Sequence, residues 1–97
     1  MKRLEGKVAV ITGGGKGIGF GLAKAFAREG SDLVITGRNE GRLVEAKEKL
    51  EKEYGVNVLP IAADGADEEA IKRVVSAAIE RFGRIDTLIN NAQVSKS

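Results

Sequence analysis

The residues whose types and spacing carry chemistry stand near the start of the chain, in Thr12-Gly13-Gly14-Gly15-Lys16-Gly17-Ile18-Gly19. An apolar run, Val8 to Ile11, leads into them, and apolar residues at helical spacing follow. Glycines at a strand-to-helix turn permit positive φ and let the backbone come close to an anion. The first amides of the helix lack intrahelical acceptors and face that anion. The spacing is G-x-x-x-G-x-G. Ile18 and Phe20 break both registers of G-x-G-x-x-G, and Gly17 follows Lys16 where a P-loop needs Ser or Thr. Taken alone, such a cluster serves equally well as a plain connection between strand and helix. Its position in a strand-helix-strand unit predicts instead a seat for the pyrophosphate of a nicotinamide dinucleotide, with Gly13, Gly15, Lys16, Gly17, Ile18 and Gly19 as the binding residues.

The form of the dinucleotide follows from the end of the second strand. A site for NAD places a carboxylate there to accept from the ribose 2′-hydroxyl. This sequence has Gly37-Arg38. A guanidinium offers a planar fork to a 2′-phosphate, and Lys16 supplies a second cation, so the expected cofactor is NADP. The competing reading of both side chains is solvated surface charge.

Composition removes most other chemistry. With no cysteine and no histidine there is no disulfide framework, thiol nucleophile, Cys/His metal site or Ser-His-Asp triad. The net charge of +2 comes from interspersed cations and acids, and the aromatics are 3 Phe and 1 Tyr, so no nucleic-acid surface is expected. Met1 to Glu5 lacks the apolar stretch of a signal peptide, and no run is long enough to span a membrane. The expected location is the cytoplasm.

The elements that must position these residues alternate as βαβαβαβ within one domain, residues 1–97. Val8 to Ile11 reads as a buried strand. A helix from Gly17 to Arg28 follows, with Ile18, Leu22, Ala25 and Phe26 inward and Gly30 as its left-handed cap. Leu33 to Ile35 is the second strand. Asn39 caps a helix with Leu43, Ala46, Leu50 and Tyr54 inward, and Gly55 ends it. Its surface pairs are expected to be Glu45 with Lys49 and Glu48 with Lys52. Val56 to Ile61 is the third strand, confined to an edge because Pro60 cannot donate to a ladder. Asp67 caps a third helix with Ile71, Val74, Val75, Ala78, Ile79 and Phe82 inward, closed by Gly83, and Ile85 to Ile89 is the fourth strand. Strands joined by single right-handed crossovers are parallel. The expected α/β fold is a Rossmann-type, doubly wound but partial sheet of order 3-2-1-4, with its crevice between strands one and four. Strand four is then an apolar edge open to self-association.

With these motifs in place, the chain resembles the amino-terminal part of the short-chain dehydrogenase/reductase family. Thr12, Gly13, Gly17 and Gly19 match the family's T-G-x-x-x-G-x-G motif. Asp64 matches the acid after its third strand, and Asn90-Asn91-Ala92 matches three positions of N-N-A-G, with Gln93 departing at the fourth. The resemblance implies that Asp64 accepts from the adenine amino group and that Asn90 and Ala92 line the adenosine side. The alternatives are that Asp64 organises the turn before the third helix and that Asn90 satisfies buried backbone. Basic residues at the positions of Lys16 and Arg38 accompany NADP preference in that family. Its catalytic Tyr-x-x-x-Lys pair does not occur: Tyr54, the only tyrosine, is followed four residues later by Val58. The resemblance therefore implies the cofactor-binding part of an NADP(H)-dependent carbonyl reductase or alcohol dehydrogenase, inactive alone. The alternative is a non-catalytic nucleotide-binding module, or one that pairs through its fourth strand.

Overall fold

The computed structural model describes residues 2–64 and 67–91. Seven elements follow in chain order: β1 (Val8–Thr12), α1 (Gly17–Arg28), β2 (Asp32–Gly37), α2 (Glu40–Tyr54), β3 (Val58–Ala62), α3 (Glu68–Phe82) and β4 (Thr87–Asn90). The four strands are parallel and lie in the order β3-β2-β1-β4. Thr12 stands opposite Thr36 on one side and Asn90 on the other, so the carboxyl ends of β2, β1 and β4 finish level with one another.

β1 is central, and all five of its residues are buried. Alternate side chains supply two cores. Ala9 and Ile11 join Leu33, Ile35, Leu43 and Leu50 beneath α1 and α2, while Val8 and Val10 join Val34, Val74 and Ala78 beneath α3. Each large aliphatic side chain sealed this way contributes roughly 1.5 to 3 kcal/mol. β1 and β2 therefore read as unbroken apolar runs, because helices cover both faces.

α1 buries Gly19, Ala23 and Ala27, a row of small residues four apart that lets the helix axis lie close to the sheet. That row corrects the expected inward face. Ile18 is one position before Gly19, is rotated away from the row, and is 76% exposed. Leu22, Ala25 and Phe26 are half-buried at its flanks. The same reason corrects Ile79, which is 47% exposed beside buried Ala78 on α3. Val74 and Ala70 share the face of Ala78, and this narrow row sets the contact with the sheet. Tyr54 is half-buried and packs against the core at the end of α2.

The helix ends follow the sequence. Asn39 accepts from the Arg42 amide at 3.1 Å to cap α2, and Asp67 accepts from the Glu69 amide at 3.0 Å to cap α3. After α1, Gly30 takes φ = +93°, its amide donates to Ala27, and the Ser31 amide donates to Phe26. These are the paired bonds of a Schellman motif. Two strands are displaced from their expected bounds. β3 runs Val58–Ala62, since Val56 precedes it, and β4 runs Thr87–Asn90, since Ile85 lies before it. α2 also pairs its charges differently. Lys47 and Glu51 meet at 2.6 Å, whereas the expected Glu45–Lys49 and Glu48–Lys52 pairs are not formed.

The two edges of the sheet differ. On β3, Pro60 stands opposite Ile35, Glu51 accepts from the Val58 amide at 3.0 Å, and Asp32 accepts from the Asn57 amide at 2.9 Å. Asp32 thus holds the entry of β3 against β2, while Pro60 and Glu51 blunt its outer edge. β4 is tied down at its start by Asp86, whose carboxylate accepts from the Val8 amide at 2.9 Å and whose amide donates to the Val8 carbonyl at 2.8 Å. Among the described residues no strand pairs with its outer side.

Candidate dinucleotide site

The turn after β1 is built in two halves with different uses. In the first half the amides of Gly13 and Gly14 both donate to the Thr36 carbonyl, at 2.7 and 3.1 Å, and lash the turn to the end of β2. Gly13 takes φ = +71° to do so. A Cβ on Gly14 would lie 2.8 Å from Ile35 Cγ2, so this position is filled by packing. The second half is open. Gly17 takes φ = +59°, and a Cβ there would meet nothing within 4 Å. Gly19 is the opposite case: its Cβ would overlap the carbonyl oxygen of Gly13 and approach Asn91 Nδ2 at 3.1 Å. Gly19 is therefore required for the close contact of α1 with the turn.

α1 is the one helix of the three that starts without help. Its N-cap is Lys16, which makes no side-chain capping bond, and its first turn holds no acid. α2 has Asn39 and Glu40, and α3 has Asp67, Glu68 and Glu69. The first amides of α1 and the positive end of its dipole are thus left for an anion, beneath the open space at Gly17.

The other expected residues converge on the same end of the sheet. Arg38 is exposed directly after β2, and Lys16 and Ile18 are exposed at the start of α1. Asp64 is exposed after β3, with its carbonyl accepting from the Asp67 amide at 3.0 Å. Asn90 is half-buried, and its Oδ1 accepts from Thr12 Oγ1 at 2.9 Å; the same hydroxyl lies 3.3 Å from the Ile89 carbonyl. Asn90 thereby joins β4 to β1 at the crevice. Ala92 and Gln93 lie outside the described residues. Two contributors were not among the expected binding residues although the motif contains them, Thr12 and Gly14; the Thr36 carbonyl had no signal beyond its place at a strand end. Thr36 Oγ1 is buried without a hydrogen-bond partner among the described residues, a deficit that typically costs about 1 to 3 kcal/mol.

The family model described as short chain dehydrogenase matches residues 7–97. The chain belongs to that family. A 12α-hydroxysteroid dehydrogenase from a Clostridium species is 56% identical across the whole of this chain. Among solved structures, the L-sorbose reductase of Gluconobacter frateurii, complexed with NADPH and L-sorbose, superposes with a TM-score of 0.85 at 42% identity over 90% of this chain. An NAD⁺-bound xylitol dehydrogenase superposes with a TM-score of 0.84 at 32% identity, also over 90%. The chain spans 40% of the steroid dehydrogenase and 33% of each of the two crystallised proteins. Short-chain dehydrogenases are oxidoreductases that bind a dinucleotide, and the parallel sheet of order 3-2-1-4 is the Rossmann-type arrangement of the family. Among these short-chain dehydrogenase neighbours one is complexed with NADPH and the other is NAD⁺-bound, on closely superposable backbones.

Proposed function

We propose that this chain is the cofactor-binding part of an NADP(H)-dependent oxidoreductase of the carbonyl reductase or alcohol dehydrogenase type. The observation that carries this reading is the uncapped, acid-free start of α1 beneath the open Gly17, with Arg38 exposed where a carboxylate would serve NAD. The amides of Gly17, Ile18 and Gly19 would hold the pyrophosphate. Gly13 and Gly15 shape the turn, and Arg38 and Lys16 would read the 2′-phosphate. Asp64, Asn90 and Ala92 would line the adenosine side. When bound, the dinucleotide supplies or accepts hydride. The chain's own task is to fix its position. Reduction of a carbonyl also needs a proton donor and a stabilised oxyanion. Tyr54 packs against the core at the end of α2 rather than over the crevice, so those groups would come from the parent protein beyond this segment, and the 97 residues alone would bind without turnover.

Calorimetric titration tests the reading. NADPH is expected to bind about ten to a thousandfold more tightly than NADH, since each charge-assisted bond contributes roughly 1.5 to 3 kcal/mol before solvent screening. Arg38→Ala removes most of that preference. Gly17→Val, which adds a side chain in the open space and strain at φ = +59°, is expected to abolish binding of both cofactors and to lower the thermal midpoint while helical circular dichroism persists below it. Equal affinities for the two cofactors, or undiminished binding by Gly17→Val, would overturn the assignment. The open side of β4 favours a second reading, a non-catalytic module that pairs with another chain. Mixing the chain with the carboxyl-terminal part of a related reductase separates the two: restored NADPH oxidation supports the first.

A further inference from the structure

We infer that Glu51 is a latch across the outer edge of β3, and that it keeps this edge from taking β4 of a second copy of the chain. On the side that faces β2, the Asn57 carbonyl accepts from the Leu33 amide and the Ala63 amide donates to the Gly37 carbonyl. Successive backbone groups of a strand point to opposite sides, so Val58, Pro60 and Ala62 present theirs outward. Pro60 has no N–H to give. Glu51 Oε2 accepts from the Val58 amide at 3.0 Å, which withdraws the first outward donor of β3 from any incoming strand.

The latch is held from both faces of the sheet. Glu51 Oε1 meets Lys47 Nζ at 2.6 Å, one turn back on α2. Arg81, in the last turn of α3 on the opposite face, also acts on Glu51 through its charge, and its guanidinium is seated 4.7 Å over the Phe82 ring. β3 itself brings no charged side chain. Burial pushes the Glu51 carboxyl up, but the bonds from Lys47 and Val58 and the charges of Lys47 and Arg81 outweigh it, so the latch is closed at neutral pH and opens in acid.

The other edge supplies the occupant. β4 is uncharged, its Leu88 is exposed, and among the described residues no strand pairs with its outer side. β3 and β4 are the two ends of one parallel sheet, so β4 of one copy laid along β3 of the next continues that sheet in the same sense. Such a contact joins unlike surfaces and repeats without closing, whereas β4 paired with β4 about a two-fold axis stops at a dimer. Glu51 therefore decides whether association of this chain ends or continues.

The test combines sedimentation velocity with amide hydrogen exchange at neutral pH. The unmutated chain is expected to go no further than a dimer. Glu51→Ala is expected to speed exchange at Val58 by about tenfold or more relative to Val10 in the central strand, and to add species larger than a dimer. Glu51→Gln, which keeps an acceptor without the charge, falls between the two. Glu51→Ala/Pro60→Val restores the missing donor and enlarges the species further; Glu51→Ala/Leu88→Lys puts a charge on β4 and removes them. Unchanged exchange at Val58 in Glu51→Ala, or nothing beyond a dimer in Glu51→Ala/Pro60→Val, overturns the latch. Large species that form only with loss of helical circular dichroism, that persist in Glu51→Ala/Leu88→Lys, or that the unmutated chain forms equally well overturn it too.

Discussion

Glycines of one motif can be essential for unrelated reasons, and Gly17 and Gly19 show it. A side chain at Gly17 would project into empty space, whereas one at Gly19 would collide with the Gly13 carbonyl. Backbone atoms of a lashed turn cannot yield cheaply, since Gly13 and Gly14 are both bonded to Thr36. Gly19→Ala is therefore expected to destabilise the fold by about 1 to 3 kcal/mol, the usual range for overpacking. Urea denaturation measures this, and a variant as stable as the parent would show that the turn can move. The spacing of the glycines was legible in the sequence; which glycine borders open space and which faces protein was not. That depends on the approach of α1 to β1, which the row Gly19, Ala23, Ala27 sets and which a hydrophobic pattern led by Ile18 points away from.

At the scale of elements, the order of strands and their caps could be read in advance because each rests on a local rule. Pro60 had to lie on an edge, Asn39 and Asp67 had to precede helices, and Gly30, Gly55 and Gly83 had to take left-handed conformations after them. Where β3 and β4 begin was not legible, because it coincides with side-chain carboxylates taking backbone amides, one near in the chain and one distant. Glu51 takes the Val58 amide, and Asp86 takes the Val8 amide. The hydrogen bond from Arg84 and that from Val8 hold the Asp86 carboxyl below the ordinary carboxylate range. A group whose pKa is depressed by folding stabilises the native state above its unfolded value of about 3.9, and that contribution is lost as pH falls through the folded value. Burial pushes the Glu51 carboxyl up, but the bonds from Lys47 and Val58 outweigh it, so Glu51 acts in the same direction. Asp86→Asn is expected to flatten part of the stability loss below about pH 4, measured by thermal melts across pH. A slope equal to that of the parent would mean that Asp86 is bonded equally well in the unfolded chain.

For the whole molecule the unequal edges matter most. The outer edge of β3 is closed by Pro60 and the Glu51 carboxylate, while β4 carries the uncharged Thr87-Leu88-Ile89-Asn90 with no strand outside it among the described residues. Leu88 is 49% exposed on the face that α3 covers. An unblunted apolar edge is a template for another strand, so the 97-residue chain is expected to self-associate through β4. Sedimentation velocity should show mass rising with concentration, and Leu88→Lys should shift the population back toward monomer. A concentration-independent monomer would remove this edge as an interface. No described helix is long and apolar enough to cross a membrane.

The hydrogen bond from Thr12 to Asn90 joins positions 78 apart in the chain. Contacts of that separation form late, since the entropy of closing the intervening loop must be met before they contribute anything. β1, β2 and β3 can zip together in chain order, but β1 gains its second neighbour only when the last described strand arrives. The residues of the glycine turn are all present after Gly19, whereas Asn90 arrives only with β4. A ligand that bridges the glycine turn and the end of β4 would therefore act as a clasp on the longest-range pairing of the sheet, and is expected to slow unfolding of the chain.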